Sequence, residues 1–213
     1  KLAKLLGVHR IVMMSGLPGG GPDAVYANWI TTAWPPEGHE MLRYQWEDVP
    51  IPYWKDLVKV ATNDGIDQIC IEQHASQIVY NVETLIRLRD ALGEIVGVNF
   101  DPSHMLWMGG DPLRAIRHMK GMIYNVHAKD TRVDPTNAEI NTRLETKPND
   151  QVASRSWNYV TLGYGHDELW WRDFVIQLRQ NGYDDVLSIE HEDYNLPPID
   201  GVLKSVELLR NVI

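Results

Sequence analysis

Four short apolar runs in this sequence each end on an acid or a histidine. Residues 96–104 read VGVNFDPSH, in which five residues typical of a buried strand lead into Asp101 and, three residues later, His104. Pro102 has no N–H to donate, so it ends the hydrogen bonding of that strand. The other three runs end in the same way on Glu72, His127 and Glu190. Parallel α/β sheets build their active sites at the carboxyl ends of such strands, so we predict one shared site.

The residue types at these strand ends suit a divalent metal ion. Two glutamates and one aspartate offer hard carboxylate oxygens and one histidine offers an imidazole, a set typical of Mn²⁺, Mg²⁺, Co²⁺ or Zn²⁺. Each residue alone is equally typical of an ordinary polar strand end, and no compact motif such as H-E-x-x-H is present. Because all four strands end this way, we expect one bound divalent ion, with Mn²⁺ as the first choice. Its predicted ligands are Glu72, Asp101, His127 and Glu190.

Charge and composition narrow the class of partner. The chain of 213 residues carries a formal net charge of -9, which disfavours nucleic acid and anionic membranes because phosphate recognition relies on Lys and Arg. No apolar run approaches the roughly 18 residues of a membrane span. The single cysteine, Cys70, lies in a predicted strand and cannot form an internal disulfide, which favours a cytoplasmic protein.

Strand and helix patterns alternate along the chain, which is typical of a parallel sheet covered by helices. Predicted strands occupy residues 8–14, 68–71, 96–100, 122–126 and 186–189. Predicted helices occupy residues 1–6, 51–64, 82–92, 112–120, 167–181 and 200–212. Cap residues support these bounds, since Asn81 and Asp111 are N-cap types and Gly7 is a C-cap type.

The candidate site residues all follow strands and never helices, so we expect them on one face of the fold. That placement favours a (β/α)8 TIM barrel over other α/β architectures. A complete barrel has eight strands and about 250 residues, whereas five strands are predicted here. We therefore interpret residues 1–213 as a single barrel domain that covers the last five βα units, with the N-terminal strands missing.

Two long segments without predicted regular structure, residues 17–50 and 129–166, both follow strands. Loops of this length are usually functional or disordered, and we expect these two to form one rim around the metal. The chain contains eight tryptophans, most of which should pack in the core. Apolar faces of sugars also stack on such rings. Four tryptophans fall on the presumed active face, at Trp29, Trp34, Trp107 and Trp157. We predict ligand contact for Trp34, Trp107 and Trp157.

Several short motifs around these positions resemble one enzyme superfamily. They are Ile71-Glu72, FDPSH at 100–104, HAKD at 127–130, GYG at 163–165 and IEHED at 189–193. In these motifs the chain is similar, from about Leu2 to its C-terminus, to the sugar phosphate isomerase/epimerase superfamily of xylose isomerase-like barrels, which also includes endonuclease IV. The resemblance implies that the four strand-end residues hold one divalent metal and that His104 contacts substrate oxygens.

The resemblance also implies a reaction. In the ketose epimerases of this superfamily, the glutamates that match Glu72 and Glu190 face opposite sides of the substrate and exchange protons with it. A proton next to a ketone is weakly acidic, so a metal must stabilise the enediolate while a base within hydrogen-bond reach removes that proton. Lys129 could stabilise an oxyanion and Arg132 could bind a hydroxyl or a phosphate, with a solvated side chain as the alternative for each.

His74 follows Glu72 by two residues, which on a strand places both side chains on one face. It is either a histidine that supports the ligands or a general base that works near neutral pH. The E-x-H pattern and the tryptophan-rich loop resemble the catalytic subunit of C-glycoside deglycosidases, barrel relatives that act on 3-keto-glycosides with a small β-sandwich partner subunit. We therefore expect a small sugar as substrate and an oligomer as the assembly, with a β-sandwich subunit in the deglycosidase case.

Two other functions fit parts of the pattern. A phosphodiesterase of the endonuclease IV type needs several zinc ions and a further Asp-x-His after the His127 strand, which residues 151–166 do not contain. An inactive barrel used for binding or assembly is a third hypothesis, made plausible by the missing N-terminal strands. The leading prediction is a metal-dependent isomerase or epimerase that removes a proton next to the carbonyl of a keto sugar or related polyol.

Overall fold

Alternating strands and helices form two compact units, residues 1–99 and residues 100–213, in the computed structural model. The structure describes all 213 residues of the chain. None of its helices combines the length and the apolar character that a membrane span requires.

The first unit contains three parallel strands in the order β1-β2-β3. They are β1 (Arg10–Met14), β2 (Gln68–Glu72) and β3 (Val96–Phe100), of which the last ends on the first residue of the second unit. Met14 pairs with Glu72, and Glu72 pairs in turn with Asn99. The carboxyl ends of the strands are therefore level, and Glu72 lies at the end of β2 as predicted.

The helices of the first unit are α1 (Leu2–Leu6), α2 (Gly38–Arg43), α3 (Pro50–Asn63) and α4 (Val82–Leu92). Asn81 caps α4, because its side chain accepts a hydrogen bond from the backbone N–H of Thr84 while the Thr84 hydroxyl accepts one from Asn81. Gly7 ends α1 in the left-handed conformation, with φ 66°. Both caps confirm the bounds predicted from sequence.

The prediction of an irregular segment over residues 17–50 is wrong for its second half. Helix α2 continues through a π-helical turn at Tyr44–Asp48 into α3. Gln45 of this turn is buried, and its Nε2 donates to the carbonyl oxygens of Pro18 (2.8 Å) and Asn28 (2.6 Å). These contacts with earlier residues of the segment stabilise the turn, and the apolar periodicity of the sequence does not predict it.

The strands of the second unit are β4 (Ile123–Ala128), β5 (Asp130–Val133), β6 (Trp157–Val160) and β7 (Leu187–Ile189). β4 and β7 are parallel, with Ala128 opposite Ile189. β4 is longer than predicted, so His127 lies within the strand rather than after it, because its backbone pairs with Ser188.

The helices of the second unit are α5 (Pro102–Met108), α6 (Pro112–His118), α7 (Pro135–Asn141), α8 (Glu168–Gln180) and α9 (Pro198–Val212). Helix α5 begins directly after Asp101, where the sequence analysis predicts no helix. The Asp101 side chain caps it by accepting a hydrogen bond from the backbone N–H of Ser103 (2.8 Å), and Pro102 takes the first helical position. The same Asp-Pro signal at Asp111 and Pro112 correctly predicts the start of α6.

The prediction of an irregular segment over residues 129–166 is also wrong. β5 and β6 pair antiparallel, with Asp130 opposite Val160 and Val133 opposite Trp157. We call this pair the β5–β6 ribbon. Helix α7 and a short 3-10 turn lie between the two strands. Each strand has only four residues and the connection is long, so neither strand length nor turn spacing gives a hairpin signal.

The buried Asp130 side chain holds the segment that follows the β5–β6 ribbon. Its Oδ2 accepts hydrogen bonds from the backbone N–H groups of Gly163 (3.1 Å), Gly165 (3.1 Å) and His166 (3.0 Å), while Oδ1 lies 2.8 Å from Nδ1 of His166. A Cβ atom at Gly165 would overlap the carbonyl oxygen of Thr131, so only glycine fits there. The glycine-rich motif therefore wraps around one buried carboxylate.

We predict that Asp130→Asn destabilises the protein by about 3 kcal/mol, because an amide NH₂ group would face N–H donors that need an acceptor. Urea unfolding followed by circular dichroism measures the change. Asp173→Asn, at an exposed aspartate of α8, is the matched control and should change the free energy of unfolding by less than about 0.5 kcal/mol. Equal stabilities of the two variants would contradict the proposed role of Asp130.

Candidate metal and active site

Three of the predicted metal ligands lie together in the second unit. Asp101 follows β3, His127 lies in β4 and Glu190 follows β7. Each offers one oxygen or nitrogen atom, and these atoms lie within 4.8 Å of one another. The backbone N–H of Glu190 donates to the carbonyl oxygen of Ala128 (3.1 Å), which continues the pairing of β4 with β7. We call these three residues the acid–histidine cluster.

Two carboxylate oxygens of the acid–histidine cluster are buried without a hydrogen-bond partner, namely Oδ2 of Asp101 and Oε2 of Glu190. An imidazole nitrogen is close to each: Nε2 of His104 lies 3.2 Å from the Asp101 oxygen, and Nδ1 of His127 lies 2.7 Å from the Glu190 oxygen. Neither oxygen has a further hydrogen-bond partner in the protein. Buried oxygens without donors are costly, and a cation shared between them and an imidazole would remove that cost. The residues therefore fit a divalent metal.

Lys129 places a positive charge inside this region, although it is only 2% exposed. Its Nζ lies 3.1 Å from Oε1 of Glu190, 3.2 Å from Oε2 of Glu192 and 4.1 Å from the ring centre of Tyr159. Burial lowers the pKa of Lys129, but the carboxylates of Asp101, Glu190 and Glu192 outweigh it and raise the pKa above its ordinary value. Lys129 therefore remains an ammonium group at neutral pH.

Asp101 and Glu190, the two carboxylates of the cluster, stay ionised because histidines and Lys129 lie next to them. His127 lowers the pKa of Glu190 to about 2, against the opposing effect of burial and with further help from Lys129. Burial acts to raise the pKa of Asp101, but His104 and Lys129 together bring it below its ordinary value. The cluster thus presents negative oxygens at neutral pH, which is the form that binds a divalent cation.

Tyr159 belongs to the same region. The sequence motifs did not identify it as a site residue. Its hydroxyl oxygen lies 2.9 Å from Nδ1 of the buried His104, and the two rings meet edge to face at 5.6 Å. Burial, with the negative charges of Asp101 and Glu192, raises the pKa of Tyr159, so the hydroxyl keeps its proton. Strand alternation with Trp157 could have identified Tyr159 as a partly buried residue, but only once β6 was known to be a strand.

Glu72 and His74, the other predicted catalytic residues, lie in the first unit. Glu72 is buried at the end of β2, and its Oε2 accepts a hydrogen bond from Nδ2 of Asn99 (3.1 Å). Strand alternation predicted that His74 and Glu72 lie on one face. β2 ends at Glu72, so His74 is not part of the strand and strand alternation does not determine where its side chain lies. Instead, Nδ1 of His74 lies 2.5 Å from the carbonyl oxygen of Ala75, which makes Nδ1 the protonated nitrogen of the neutral ring.

The tryptophans predicted to bind substrate have different surroundings. Trp107 and Trp157 are each 7% exposed and stack on one another, with ring centres 4.6 Å apart and planes 7° apart. The guanidinium of Arg155 lies over the Trp157 ring at 4.9 Å. Trp34, in the first unit, is 78% exposed. Substrate contact by these three rings stays a prediction, and the stacked pair already covers one face of each ring.

Arg132, predicted to bind a hydroxyl or phosphate group, lies exposed on β5. It lines a cavity of about 380 Å³ together with Asn158, Tyr164 and Asp193. The pKa of Asp193 is lowered, because backbone and side-chain donors of Thr161 and Asn195 outweigh the effect of its burial. The cavity has room for a ligand, and the role of Arg132 in binding one stays a prediction.

Parallel strands that alternate with helices, with acids and a histidine gathered at the strand ends, define an α/β protein of the TIM-barrel class. The sequence model of the family described as Xylose isomerase-like TIM barrel matches residues 1–212. The chain therefore belongs to the xylose isomerase-like TIM barrel family, which confirms the fold class and the superfamily predicted from the motifs.

One relative and two solved structures illustrate this similarity. The Bacillus subtilis (strain 168) protein named Uncharacterized protein YfiH is 49% identical over 215 residues, which cover 100% of this chain and 69% of that protein. The IOLI protein with a bound zinc atom has a TM-score of 0.66 at 18% identity, over 99% of this chain and 64% of that chain. The 3-keto-D-glucoside 4-epimerase YcjR from E. coli has a TM-score of 0.62 at 14% identity, over 98% and 66% of the two chains.

The two solved structures share the fold with this chain, and at such low identity the likeness shows nothing more. The chain spans about two thirds of the length of all three proteins, since it covers 69%, 64% and 66% of them.

We predict that Tyr159→Phe releases the His104 ring, because it removes the hydroxyl that contacts Nδ1. Nitrogen-detected NMR of the histidine rings should show the His104 signals of one tautomer shifting towards a mixture of two. The lost hydrogen bond should lower the free energy of unfolding by about 1 kcal/mol. Tyr164→Phe, at an exposed tyrosine, is the control. His104 signals that are identical in both variants would show that the hydroxyl does not orient the ring.

Proposed function

We propose that this protein is a divalent-metal-dependent enzyme that removes a proton next to the carbonyl of a keto sugar or related polyol, as isomerases and epimerases do. The observation that carries the proposal is the acid–histidine cluster of Asp101, His127 and Glu190, in which two buried carboxylate oxygens have imidazole nitrogens as their close polar neighbours. Family membership supports sugar chemistry of this kind, and the solved 3-keto-D-glucoside 4-epimerase shares the fold.

Glu72 is the fourth ligand in this proposal. It is a buried carboxylate at the carboxyl end of a parallel strand, the edge at which TIM-barrel sites are built. The hydrogen bond from Asn99 orients its carboxylate, as second partners of metal-bound carboxylates commonly do. Mn²⁺ is the metal proposed first, and Zn²⁺, Mg²⁺ or Co²⁺ suit the same donors. The zinc atom bound by the IOLI protein supports a divalent ion in this fold.

A divalent ion bound at this site would polarise the substrate carbonyl and stabilise the enediolate. Lys129 contributes a fixed ammonium group next to Glu190, where it can stabilise a developing oxyanion. His104 is held through Nδ1 by Tyr159, and its Nε2 lies 3.2 Å from Oδ2 of Asp101, so a substrate oxygen bound next to Asp101 would lie close to this ring. Both side chains are buried, so their charges and dipoles are oriented before substrate arrives and act in a medium of low polarity.

His74 is the proton acceptor that we propose first, with Glu72 as the alternative. A general base works best when its pKa is near the working pH, and a pKa of about 2 makes Glu190 a stable anion but a weak base. Neutral His74 carries its proton on Nδ1, which donates to the carbonyl oxygen of Ala75. Nε2 is therefore the nitrogen of His74 that can accept a proton.

This orientation of His74 also favours one second candidate, a C-glycoside deglycosidase that acts on 3-keto-glycosides and has a small β-sandwich partner subunit. Such a lyase needs the same base next to the same type of carbonyl, and it differs in the bond that breaks afterwards. An endonuclease IV-like phosphodiesterase is disfavoured by the net charge of -9, which opposes binding to a phosphate backbone.

We predict that protein purified without added metal contains about one equivalent of a divalent ion, measured by elemental analysis, and that Asp101→Ala removes it. Asp101 also caps α5, so Asp111→Ala, which removes the corresponding cap of α6, is the matched control and should retain the ion. Metal content near zero in the wild-type protein, unchanged by Asp101→Ala, would reject the metal site.

Deuterium uptake from D₂O at the carbon next to the carbonyl of ketoses, followed by NMR, then separates an enzyme from an inactive barrel.

We predict that His74→Ala keeps the metal and the fold but lowers kcat by roughly 10²–10⁴, the usual contribution of a general base. Imidazole added to the assay should restore part of the lost activity, which a purely structural role would not explain. The control is His118→Ala, at the last residue of α6 and outside the acid–histidine cluster. Near-normal turnover of 3-keto-glycosides by His74→Ala would count against the deglycosidase and leave the isomerase or epimerase, with Glu72 as base.

A further inference from the structure

A cavity of about 240 Å³ in the first unit contains none of the four proposed metal ligands in its lining. Its walls come from the segment that follows β1, from the segment between β2 and α4, and from the first turns of α4. Met14 at the end of β1 pairs with Glu72 at the end of β2, so both segments leave the strands at the edge that carries Glu72. We call this space the loop cavity.

Aromatic rings form part of the wall of the loop cavity. Trp29 and Tyr80 are half-buried and meet edge to face at 5.5 Å, and Trp46 lies buried beneath the guanidinium of Arg87 at 4.3 Å. Such rings suit the C–H face of a sugar. The volume is below the roughly 300–1,000 Å³ of pockets for drug-sized ligands, which fits a single ring.

Gln45 presents a hydrogen-bond acceptor to the loop cavity. The residue is 1% exposed and lines the cavity, and its Nε2 donates to the carbonyl oxygens of Pro18 and Asn28. Two carbonyl acceptors on the same side identify this atom as the NH₂ group. Oε1 accepts no hydrogen bond from the chain, so it is available to a hydroxyl group of a ligand.

Gln77 adds the complementary donor. Its Oε1 accepts a hydrogen bond from the backbone N–H of Gly16 (2.8 Å), which leaves the NH₂ group of this lining residue to donate. A sugar hydroxyl both donates and accepts hydrogen bonds, so an acceptor at Gln45 and a donor at Gln77 suit a polyol.

The charges around the loop cavity disfavour a phosphate group. Arg87 pairs with Glu47 at 2.8 Å, and Glu83 of the lining adds a second carboxylate, so two carboxylates surround one guanidinium. At the N-terminus of α4 the capping box already occupies the N–H groups of Asn81 and Thr84, which reduces the number of amides that a phosphate could use. A phosphate would therefore meet the negative charges of Glu47 and Glu83 next to the one guanidinium group.

We propose that the loop cavity binds one uncharged sugar ring. The apolar face of the ring packs on Trp29 and Tyr80, and its hydroxyl groups bond to Oε1 of Gln45 and Nε2 of Gln77. In the proposed function, on which this assignment rests, the bound ring is the part of the substrate that does not react. The substrate class is then an unphosphorylated keto sugar that carries a second ring, rather than a sugar phosphate.

Calorimetric titration with phenyl β-D-glucopyranoside, D-glucose and D-glucose 6-phosphate, in the presence of a chelator, tests the proposal. We expect the two uncharged compounds to bind and the phosphate ester to bind more weakly. Leu17→Trp fills the cavity and should weaken binding of the phenyl glucoside by about tenfold or more. Val60→Trp, which adds the same ring at an exposed position of α3, is the matched control and should bind as the wild type does.

Glu83→Lys provides a second variant at an exposed residue, for the case that Leu17→Trp disturbs the fold. It should strengthen binding of D-glucose 6-phosphate relative to binding of phenyl glucoside, because it replaces a negative charge of the lining with a positive one. Tighter binding of the phosphate ester to the wild type, no binding of uncharged sugars, or equal affinities of Leu17→Trp and Val60→Trp would overturn the proposal. Because the chelator removes metal, these outcomes are independent of the metal content and the deuterium uptake that test the proposed function.

Discussion

The buried ammonium group of Lys129 is the interaction on which the acid–histidine cluster depends. Asp101, Glu190 and Glu192 bring three carboxylates into one region, and the nearby Lys129 contributes to the lowered pKa values of Asp101 and Glu190. Lys129 compensates one of the three carboxylate charges, and the negative charge that remains is a favourable environment for a divalent ion. The lysine thus acts together with His127 and His104 to keep Glu190 and Asp101 ionised.

The β5–β6 ribbon supplies the supports of this site. It carries Tyr159 to the Nδ1 atom of His104 and places the Tyr159 ring against Lys129. Asp130, at the start of the ribbon, gathers the backbone donors of the glycine-rich segment around one carboxylate. His104 is therefore oriented from two sides: by Asp101 of its own short motif at Nε2, and by Tyr159 of the distant ribbon at Nδ1.

In the first unit, a buried glutamine organises the segment before α3. Gln45 uses both N–H groups to hold two carbonyl oxygens of the preceding residues, and this leaves its oxygen for the loop cavity. The same side chain therefore stabilises the segment and sets the hydrogen-bonding character of the cavity. An aromatic wall with amide groups and paired charges is suited to a neutral polyol, which is consistent with the sugar substrate that we propose.

The sequence by itself determined the alternation of strands and helices, most of their bounds and the acids at the strand ends. These features arise from periodicity and caps that act over a few residues, as Asn81 and Thr84 show for α4. Its motifs also led to the family that the comparison confirms. Even α5 had a local signal, since Asp101 and Pro102 repeat the start of α6.

Only the tertiary structure decided the pairing of β5 with β6, the contact of Tyr159 with His104 and the direction in which Gln45 presents its oxygen. Each depends on partners that lie between 17 and 55 residues apart, as for Gln45 with Asn28 and for Tyr159 with His104. A four-residue strand or a single amide carries too little local preference to select such a partner. The physical reason is that the hydrogen-bonding groups of these residues can be satisfied in many ways locally, and the packed core selects among them.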